Sequence, residues 1–280
     1  MLGLGTGINK LSSAEAASIA SRSGGYLLDT YSGAAAAYSL RQLSSSYSGN
    51  AVKVRRSSDN TETDIGFVGG ELDTASLSSF AGAGDAFVVS WFDQSSNSND
   101  ATQTTTANQP KIVSSGAVIM ENGKPAIEGD GNKSMAFTSI TFSDLCFVNV
   151  STISHNNPFG DAPYGGPSGT FGAYGLNSTT LRWRFAGSTS DFTIPAQTNG
   201  TQYLAFANRS SASLQVSFQG NVVGTESNSG WAQIYQLLNG NGNGLALLGT
   251  AQEFIFYSSD QSDYRTGIET NINTFYNIYS

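Results

Sequence analysis

The sequence predicts a mainly β protein, a β-sandwich with a few short helices at its periphery. From about residue 110 onwards, short apolar or alternating segments are separated by turns of Gly, Asn and Ser, as in all-β sandwiches. The 32 glycines favour many turns over long helices. A length of 280 residues is enough for one domain with a sizeable core.

Two helices are expected before residue 50. Within residues 1–25, Ser12 and Glu15 form a capping box ahead of an Ala-rich run. This segment is either an attachment arm or an ordinary helix packed on the domain, and residues 26–280 are expected to form one domain. A second helix is expected over 33–47, where one apolar stripe comprises Ala36, Leu40, Leu43 and Tyr47.

Two more helices follow. Residues 74–81 are preceded by Asp73, a good cap, and followed by Gly82, which ends helices. The C-terminal helix is expected over 260–278, with an apolar face of Tyr264, Ile268, Ile272, Phe275 and Tyr279.

Strands are expected on both sides of residue 110. Residues 51–55 alternate like a half-buried strand, and 85–92 suit a strand buried on both faces, near which the sandwich proper is expected to start. Asn122-Gly123 and Gln219-Gly220 are hairpin turn signals. The later candidate strands are 111–113, 117–120, 125–128, 134–142, 145–153, 169–175, 180–186, 190–194, 201–208, 212–219, 221–224, 231–238 and 252–257.

Composition excludes several kinds of partner. The net charge of −8 argues against nucleic acid, because phosphate binding needs concentrated Lys and Arg. The single cysteine, Cys146, excludes an internal disulfide framework and is expected to be a buried core residue. No apolar run approaches the roughly 20 residues of a membrane span, so no membrane partner is expected.

The first half of the chain resembles a known enzyme family. The stretches that carry the resemblance are 28–41, which begins Leu28-Asp29-Thr30-Tyr31-Ser32-Gly33, 54–60, 64–67 and 91–95, which reads Trp91-Phe92-Asp93-Gln94-Ser95; they are specific in combination and cover roughly residues 28–130. They are similar to the catalytic domain of fungal arabinofuranosidase B enzymes. The same block resembles one in bacteriophage virion proteins, where it leads into a concanavalin A-like (laminin-G-like) jelly roll with counterparts of residues 125–131 and 268–273.

The two resemblances imply different functions. The arabinofuranosidases carry their nucleophilic carboxylate beside two adjacent cysteines followed by Asp, and this sequence has no such motif. We therefore expect a virion structural protein without enzymatic activity: a capsid decoration, head-fibre or tail-fibre component that contacts other virion proteins, is oligomeric in the particle and binds host or environmental glycans. The alternative is a glycoside hydrolase related to arabinofuranosidase B.

A long polar loop is the best candidate for glycan binding. Aromatic rings stack on sugars while amides and carboxylates bond their hydroxyls, and the loop from residue 155 to 169 offers His155, Asn157, Phe159, Asp161 and Tyr164. In the strand at 180–186, alternation puts Arg182 and Arg184 on one face as interface candidates, with Trp183 in the core.

Acidic residues supply the remaining candidates. The loop at 93–100 offers oxygen ligands that Ca²⁺ accepts from Asp93, Asn97, Asn99 and Asp100, although side-chain hydrogen bonds that shape the turn are the stronger interpretation. No other cofactor is expected. A glycosidase needs two facing carboxylates, and sequence spacing does not show which converge among Glu121, Glu128, Asp130, Asp161, Asp191 and Glu226.

Overall fold

The computed structural model describes residues 25–153, 164–165, 171–239 and 246–280. In the first half, the strands are β1 (Ala34–Ser39), β2 (Val52–Arg56), β3 (Glu62–Ile65), β4 (Phe67–Val68), β5 (Glu71–Leu72), β6 (Ala86–Trp91), β7 (Ala101–Thr102), β8 (Lys111–Ser114), β9 (Ala117–Val118), β10 (Met120–Glu121), β11 (Lys124–Pro125) and β12 (Ile127–Asp130). In the second half they are β13 (Met135–Phe142), β14 (Leu145–Ile153), β15 (Tyr164–Gly165), β16 (Phe171–Asn177), β17 (Thr180–Phe185), β18 (Ser188–Thr193), β19 (Thr201–Ser210), β20 (Ser213–Phe218), β21 (Asn221–Ser227), β22 (Ala232–Leu237) and β23 (Leu248–Tyr257).

Short helices lie around these strands. They are α1 (Leu27–Thr30), α2 (Thr74–Ala81) and α3 (Arg265–Tyr276), with 3₁₀ turns at Thr106–Asn108 and Ser262–Tyr264. The predicted mainly β sandwich with short peripheral helices is therefore confirmed. No described helix has the length and apolar character required to cross a membrane.

The sheet is antiparallel and curls into two layers. In one layer β23 lies at the centre, with β12 and β1 on one side and β14, β19, β20 and β21 following on the other. The facing layer runs β7, β13, β22, β15, β16, β17 and β18. The β12 edge continues through β8, β6, β2 and β3, and β6 also pairs with β7, which connects the layers.

Aromatic side chains fill the space between the layers. Phe147 of β14 packs against Phe256 of β23 at a ring separation of 4.8 Å, and it also contacts Trp183 of the facing layer. On the outer side, Val148 of β14 and Ile255 of β23 pack under α3. Because both faces of these two strands are buried, their apolar residues do not alternate with exposed polar ones, and polar side chains such as Asn149 and Glu253 are buried as well.

The predicted helix over 33–47 is wrong. Residues 34–39 form β1, which pairs with β23, and no helix follows up to residue 47. Ala36 and Tyr38 point between the layers while Ala37 packs on the side of α3, so both faces are buried. Tertiary burial outweighs the helix propensity of alanine here. Because β1 lies in the main sheet, the expected start of the sandwich near residue 85 is also wrong.

The other two helix predictions within the described residues are confirmed. Helix α2 spans the predicted residues, and the Asp73 side chain caps it by accepting from the Ser76 amide at 3.0 Å. Helix α3 is shorter than predicted, because a 3₁₀ turn precedes it. Tyr264 belongs to that turn and is 54% exposed, so its expected place on the apolar face of the helix is wrong. The N-terminal helix at 1–25 lies almost wholly outside the described residues, and the domain boundaries stay a prediction.

Most predicted strands after residue 110 are confirmed, and so are both hairpin turns. Asn122 and Gly123 have φ of 49° and 75°, and Gln219 and Gly220 have φ of 49° and 78°, which suits two-residue hairpins. The strand predicted over 85–92 exists as β6, but Phe87 is only partly buried, so burial on both faces is wrong.

Candidate functional site

The predicted glycan-binding loop falls almost wholly outside the described residues. This holds for His155, Asn157, Phe159 and Asp161. Tyr164 belongs to β15, whose backbone pairs with β22 opposite Leu237. Glycan binding at this loop therefore stays a prediction.

The β17 arginines are separated from the core as expected. Trp183 is 1% exposed, which confirms it as a core residue, while Arg184 is exposed. Arg182 donates through Nε and Nη2 to the two carboxylate oxygens of Asp191, both at 2.6 Å. These hydrogen bonds hold the pKa of Asp191 below its usual range. Asp191 thus pairs within the chain, and an interface at the arginines stays a prediction.

The loop at 93–100 is shaped by its own side chains. Buried Asp93 accepts from the amides of Ala37, Ser95 and Asn99 at 2.8 to 3.0 Å and from the Ser95 hydroxyl at 2.7 Å. Asp100 accepts from the Asp93 amide at 2.9 Å, and Asn97 points an amide NH₂ at the Ala34 carbonyl. Among the described residues, no group of three or more His, Cys, Asp or Glu could hold a metal. Calcium at this loop stays a prediction.

An open groove crosses β8, β12 and β23 on the outer side of the sheet. Its volume is about 560 Å³, and its polar and apolar walls include Lys111, Glu128, Asp130, Lys133, Leu248 and Thr250. Three pairs of residues lie directly opposite each other on β12 and β23 in this groove: Glu128 and Thr250, Gly129 and Gly249, and Asp130 and Leu248. Two of the carboxylates singled out from the sequence therefore line one groove.

The paired glycines have little room for side chains. A Cβ atom on Gly129 would lie 2.5 Å from the carbonyl oxygen of Leu247, and one on Gly249 would lie 2.4 Å from Oγ1 of Thr152. Both separations are far below van der Waals contact. The glycines thus allow the close approach of β12, β23 and β14 beneath the groove.

Glu121, in the hairpin of β10 and β11, is not among the residues that line the groove but bonds to Thr250, which is. Gln252 of β23 donates through Nε2 to the carbonyl oxygens of Glu121, Lys124 and Pro125, at 3.1 to 3.2 Å, and so holds this hairpin against the sheet. The hydroxyl of Thr250 then donates to Oε2 of Glu121 at 3.1 Å. Burial raises the pKa of Glu121 above its ordinary value, and the hydrogen bond from Thr250 partly offsets this.

Glu128 neighbours the same threonine across the pairing of β12 with β23. It is directly opposite Thr250 in β23 and opposite Lys111 in β8. Opposed residues in an antiparallel pair have Cβ atoms about 4.5–5.5 Å apart on one face. The Glu128 side chain is exposed and makes no hydrogen bond or ion pair with the described residues. Thr250 therefore has two carboxylate neighbours: Glu121, which is partly buried, and Glu128, which is open to solvent.

Two other carboxylate candidates, Asp130 and Glu226, are less suited to acid–base catalysis. Asp130 forms an ion pair with Lys133 at 3.0 Å, and Glu226 is exposed on the edge strand β21, four strands away from β23. Sequence reasoning missed Thr250 because the predicted strand began at 252, and it missed the link from Thr250 to Thr152 because no spacing connects residues so distant along the chain. Their only sequence signal is a β-branched residue at a strand end.

Comparison with known proteins supports the enzyme resemblance. The model of the family described as "Alpha-L-arabinofuranosidase B, catalytic" matches residues 29–165, just under half of the chain. This confirms the resemblance to that catalytic domain. No curated protein matches the sequence.

Solved arabinofuranosidases share the fold. An arabinofuranosidase complexed with arabinofuranosyl-α-1,2-xylobiose has a TM-score of 0.69 and 18% identity, covering 89% of this chain and 64% of its own. A GH54 α-L-arabinofuranosidase soaked with a cyclic sulfate inhibitor has a TM-score of 0.69, and a Glu→Gln mutant soaked with 4-nitrophenyl α-L-arabinofuranoside has 0.70; both are 18% identical and cover 91% of this chain and 65% of their own. The chain spans slightly less than two thirds of their length.

These matches correct the functional expectation. A virion structural protein without enzymatic activity is contradicted, because the matching family model describes a catalytic domain and the solved structures with this fold are arabinofuranosidases. The absence of the adjacent-cysteine motif does not outweigh the combined stretches of residues 28–95. The expected virion location and virion partners are not tested by the matches. What the comparisons establish is the β-sandwich fold of the GH54 arabinofuranosidases, with likeness to a catalytic domain over residues 29–165.

Proposed function

We propose that this protein is a glycoside hydrolase that acts on α-L-arabinofuranosides. The observation that carries the proposal is the match of residues 29–165 to an arabinofuranosidase B catalytic domain. The shared fold over about nine tenths of the chain supports it. The groove of β8, β12 and β23 adds a polar surface that contains Glu128 and Thr250, and the Thr250 hydroxyl bonds to Glu121.

Glu121 suits the role of general acid in this reaction. Glycoside hydrolysis requires a carboxylic acid that keeps its proton and delivers it to the oxygen of the leaving group. Burial raises the pKa of Glu121, which extends its protonated form towards neutral pH. Its hairpin is anchored by three hydrogen bonds from Gln252, so the carboxyl group is held in place.

Glu128 suits the second role. The partner carboxylate either attacks the anomeric carbon or removes a proton from the attacking water, and both tasks need an accessible oxygen. Glu128 is exposed in the groove, directly opposite Thr250. Lys111, directly opposite Glu128 in β8, and the Thr250 hydroxyl are polar groups that can bond sugar hydroxyls.

The proposal assigns no role to a cysteine. Cys146 is fully buried in β14, and burial raises the pKa of its thiol well above the ordinary value. The site differs in this respect from the adjacent-cysteine pattern that the family resemblance implies.

Hydrolysis of 4-nitrophenyl α-L-arabinofuranoside tests the proposal. The unmodified protein should release nitrophenol, and Glu121→Gln and Glu128→Gln should each lower kcat by about 10²- to 10⁴-fold, as expected for lost acid–base catalysis. The matched control is Glu226→Gln, an exposed strand glutamate outside the groove, which should retain kcat within about twofold.

The two parts of the proposal fail differently. If the unmodified protein releases no nitrophenol from this substrate, the hydrolase function is wrong. If hydrolysis is measured but survives both Glu→Gln substitutions, the function stands and the assignment of Glu121 and Glu128 is wrong.

A further inference from the structure

One tryptophan lies at the surface of the facing layer. Trp231, the residue before β22, is 45% exposed, whereas Trp91 and Trp183 are 0% and 1% exposed in the core. An indole ring is large and mostly apolar, so leaving it in water forgoes the stabilisation that burial provides. Trp231 is therefore a candidate contact for a partner.

The backbone that carries Trp231 is fixed by buried contacts. Its carbonyl oxygen accepts from the amide of Ala186 at 3.0 Å. Asn228 is 1% exposed; its Oδ1 accepts from the Gly230 amide at 3.1 Å, and its Nδ2 donates to the Ser190 hydroxyl at 3.3 Å. The segment ahead of β22 is thus anchored on β18 and on the turn before it. A partner that contacts the ring has little backbone entropy to remove.

Strand β22 continues this surface with amide and aromatic side chains. Ala232 and Ile234 are buried in the core. Alternation therefore puts Gln233 and Tyr235, both partly exposed, on the outer face together with Trp231. Four residues of extended chain separate the two aromatic side chains by about 13 Å. We call Trp231, Gln233 and Tyr235 the outer stripe of β22.

Gln236, next along β22, has a donor that the fold does not use. The residue is 8% exposed, and its Nε2 has no hydrogen-bond partner among the described residues. It lies directly opposite Ala136 of β13, which is exposed, so its side chain belongs to the outer face beside the stripe. A buried amide without a partner costs free energy, which an acceptor on a bound molecule would recover.

The outer stripe of β22 contains no charged residue. Two arginines near its anchor are already engaged: Arg209 donates to the carbonyl oxygen of Asn228 at 3.1 Å, and Arg182 pairs with Asp191. The net charge of −8 disfavours an acidic partner. The surface therefore suits a molecule without charge.

We propose that the outer stripe of β22 and Gln236 bind a neutral polysaccharide chain in an extended conformation. The rings of Trp231 and Tyr235 stack on the apolar faces of sugars, and the amides of the two glutamines bond sugar hydroxyl groups. The distance between the rings is longer than one monosaccharide, so both are engaged by two sugars of one chain. This surface belongs to the facing layer, apart from the groove of β8, β12 and β23, and binding requires no hydrolysis.

Affinity electrophoresis in native gels tests the proposal. Two neutral polymers, arabinoxylan and hydroxyethyl cellulose, should retard the unmodified protein, and acidic polygalacturonate should not. Trp231→Ala and Tyr235→Ala should each raise the apparent Kd for the neutral polymers by about 10-fold, while Trp231→Tyr, which keeps an aromatic ring, should lose less. The control is Tyr264→Ala, which removes a 54% exposed ring beside α3 and should bind like the unmodified protein.

Quenching of tryptophan fluorescence by acrylamide reports on the contact itself. Because Trp91 and Trp183 are buried, the emission that acrylamide reaches comes from Trp231. Saturating hydroxyethyl cellulose should lower the quenching of the unmodified protein. In Trp231→Tyr, which lacks this emission, the polymer should change nothing.

The outcomes separate this proposal from the hydrolase function. If neither neutral polymer retards the protein, or if retardation survives both alanine substitutions, the stripe is not a polysaccharide site. Equal retardation by polygalacturonate would overturn the preference for a neutral chain. A dimer in sedimentation experiments that Trp231→Ala abolishes would assign the stripe to a second copy of the chain instead. Hydroxyethyl cellulose contains no arabinofuranoside, so its binding stands or fails whatever the release of nitrophenol shows.

Discussion

Arg41 and Glu253 form a buried two-point ion pair between the segment after β1 and the centre of β23. Nε and Nη2 of Arg41 donate to the two carboxylate oxygens of Glu253 at 2.7 and 2.9 Å, and Nη1 donates to Asn271 of α3. The side chains are 6% and 1% exposed. One guanidinium therefore connects β23 with the helix that covers its outer face.

Removal of this guanidinium should strongly destabilise the fold. Arg41→Met leaves the Glu253 carboxylate buried without its charged partner, which typically costs about 3–5 kcal/mol. Urea unfolding gives the free energy. The matched control, Arg182→Met, breaks the exposed pair with Asp191 and should cost no more than about 1 kcal/mol. If both variants lose the same free energy of unfolding, burial does not make the Arg41–Glu253 ion pair more important for stability than the exposed pair.

Gly129→Ala should destabilise the floor of the groove. The added methyl group would meet the backbone carbonyl of Leu247 at 2.5 Å, and a backbone atom cannot rotate away. Overpacking of this kind costs about 1–3 kcal/mol, measured by urea unfolding. In the control, Gly66→Ala, the methyl group meets only the Asn50 side chain at 3.1 Å, which can move. If Gly129→Ala costs no more free energy of unfolding than Gly66→Ala, the strands at the floor of the groove can move apart to accommodate the methyl group.

The buried carboxyl group of Glu269 predicts a pH-dependent stability. Burial raises its pKa, which the hydrogen bond from Ser217 and the charge of Arg265 only partly offset. Because the folded state then binds this proton more tightly than the unfolded chain, this contribution to stability is present below the unfolded pKa of about 4.3. It is lost as pH rises towards the folded pKa.

Substitution of Glu269 tests whether this contribution to stability is lost as pH rises. Glu269→Gln should flatten the fall of Tm with rising pH above about 4.5, whatever it does to the absolute Tm. Thermal unfolding followed by circular dichroism at several pH values provides the slopes, with Glu226→Gln as the exposed control. An unchanged slope in Glu269→Gln would assign the pH dependence to other groups.

Cys146 should be inert in the folded protein. It is fully buried beneath α3, and burial raises the pKa of its thiol, so the reactive thiolate is scarce and inaccessible. A coloured disulfide reagent should detect no thiol in the native protein and one thiol per chain in concentrated guanidinium chloride. Rapid modification under native conditions would mean that α3 opens readily.

Much of the strand pattern could be predicted because it depends on local chemistry. The run from Leu145 to Ile153 begins with four apolar residues and is rich in β-branched ones, and the turn at Asn122-Gly123 uses residues that tolerate positive φ. Helix α2 was predictable because Asp73 and Gly82 mark its ends. Residues 34–39 were not, since their alanines suit a helix in isolation and become a strand only by pairing with β23.

The sequence by itself determined where most strands and turns after residue 110 occur, that one cysteine forms no internal disulfide, and that the first half of the chain resembles a catalytic domain. Only the tertiary structure decided that Glu121 and Glu128 approach the same residue. Thr250 is more than 120 positions from both, and it meets them because β23 pairs with β12 while Gln252 holds the hairpin of Glu121. Local patterns specify elements, whereas the register between distant strands selects which side chains share a site.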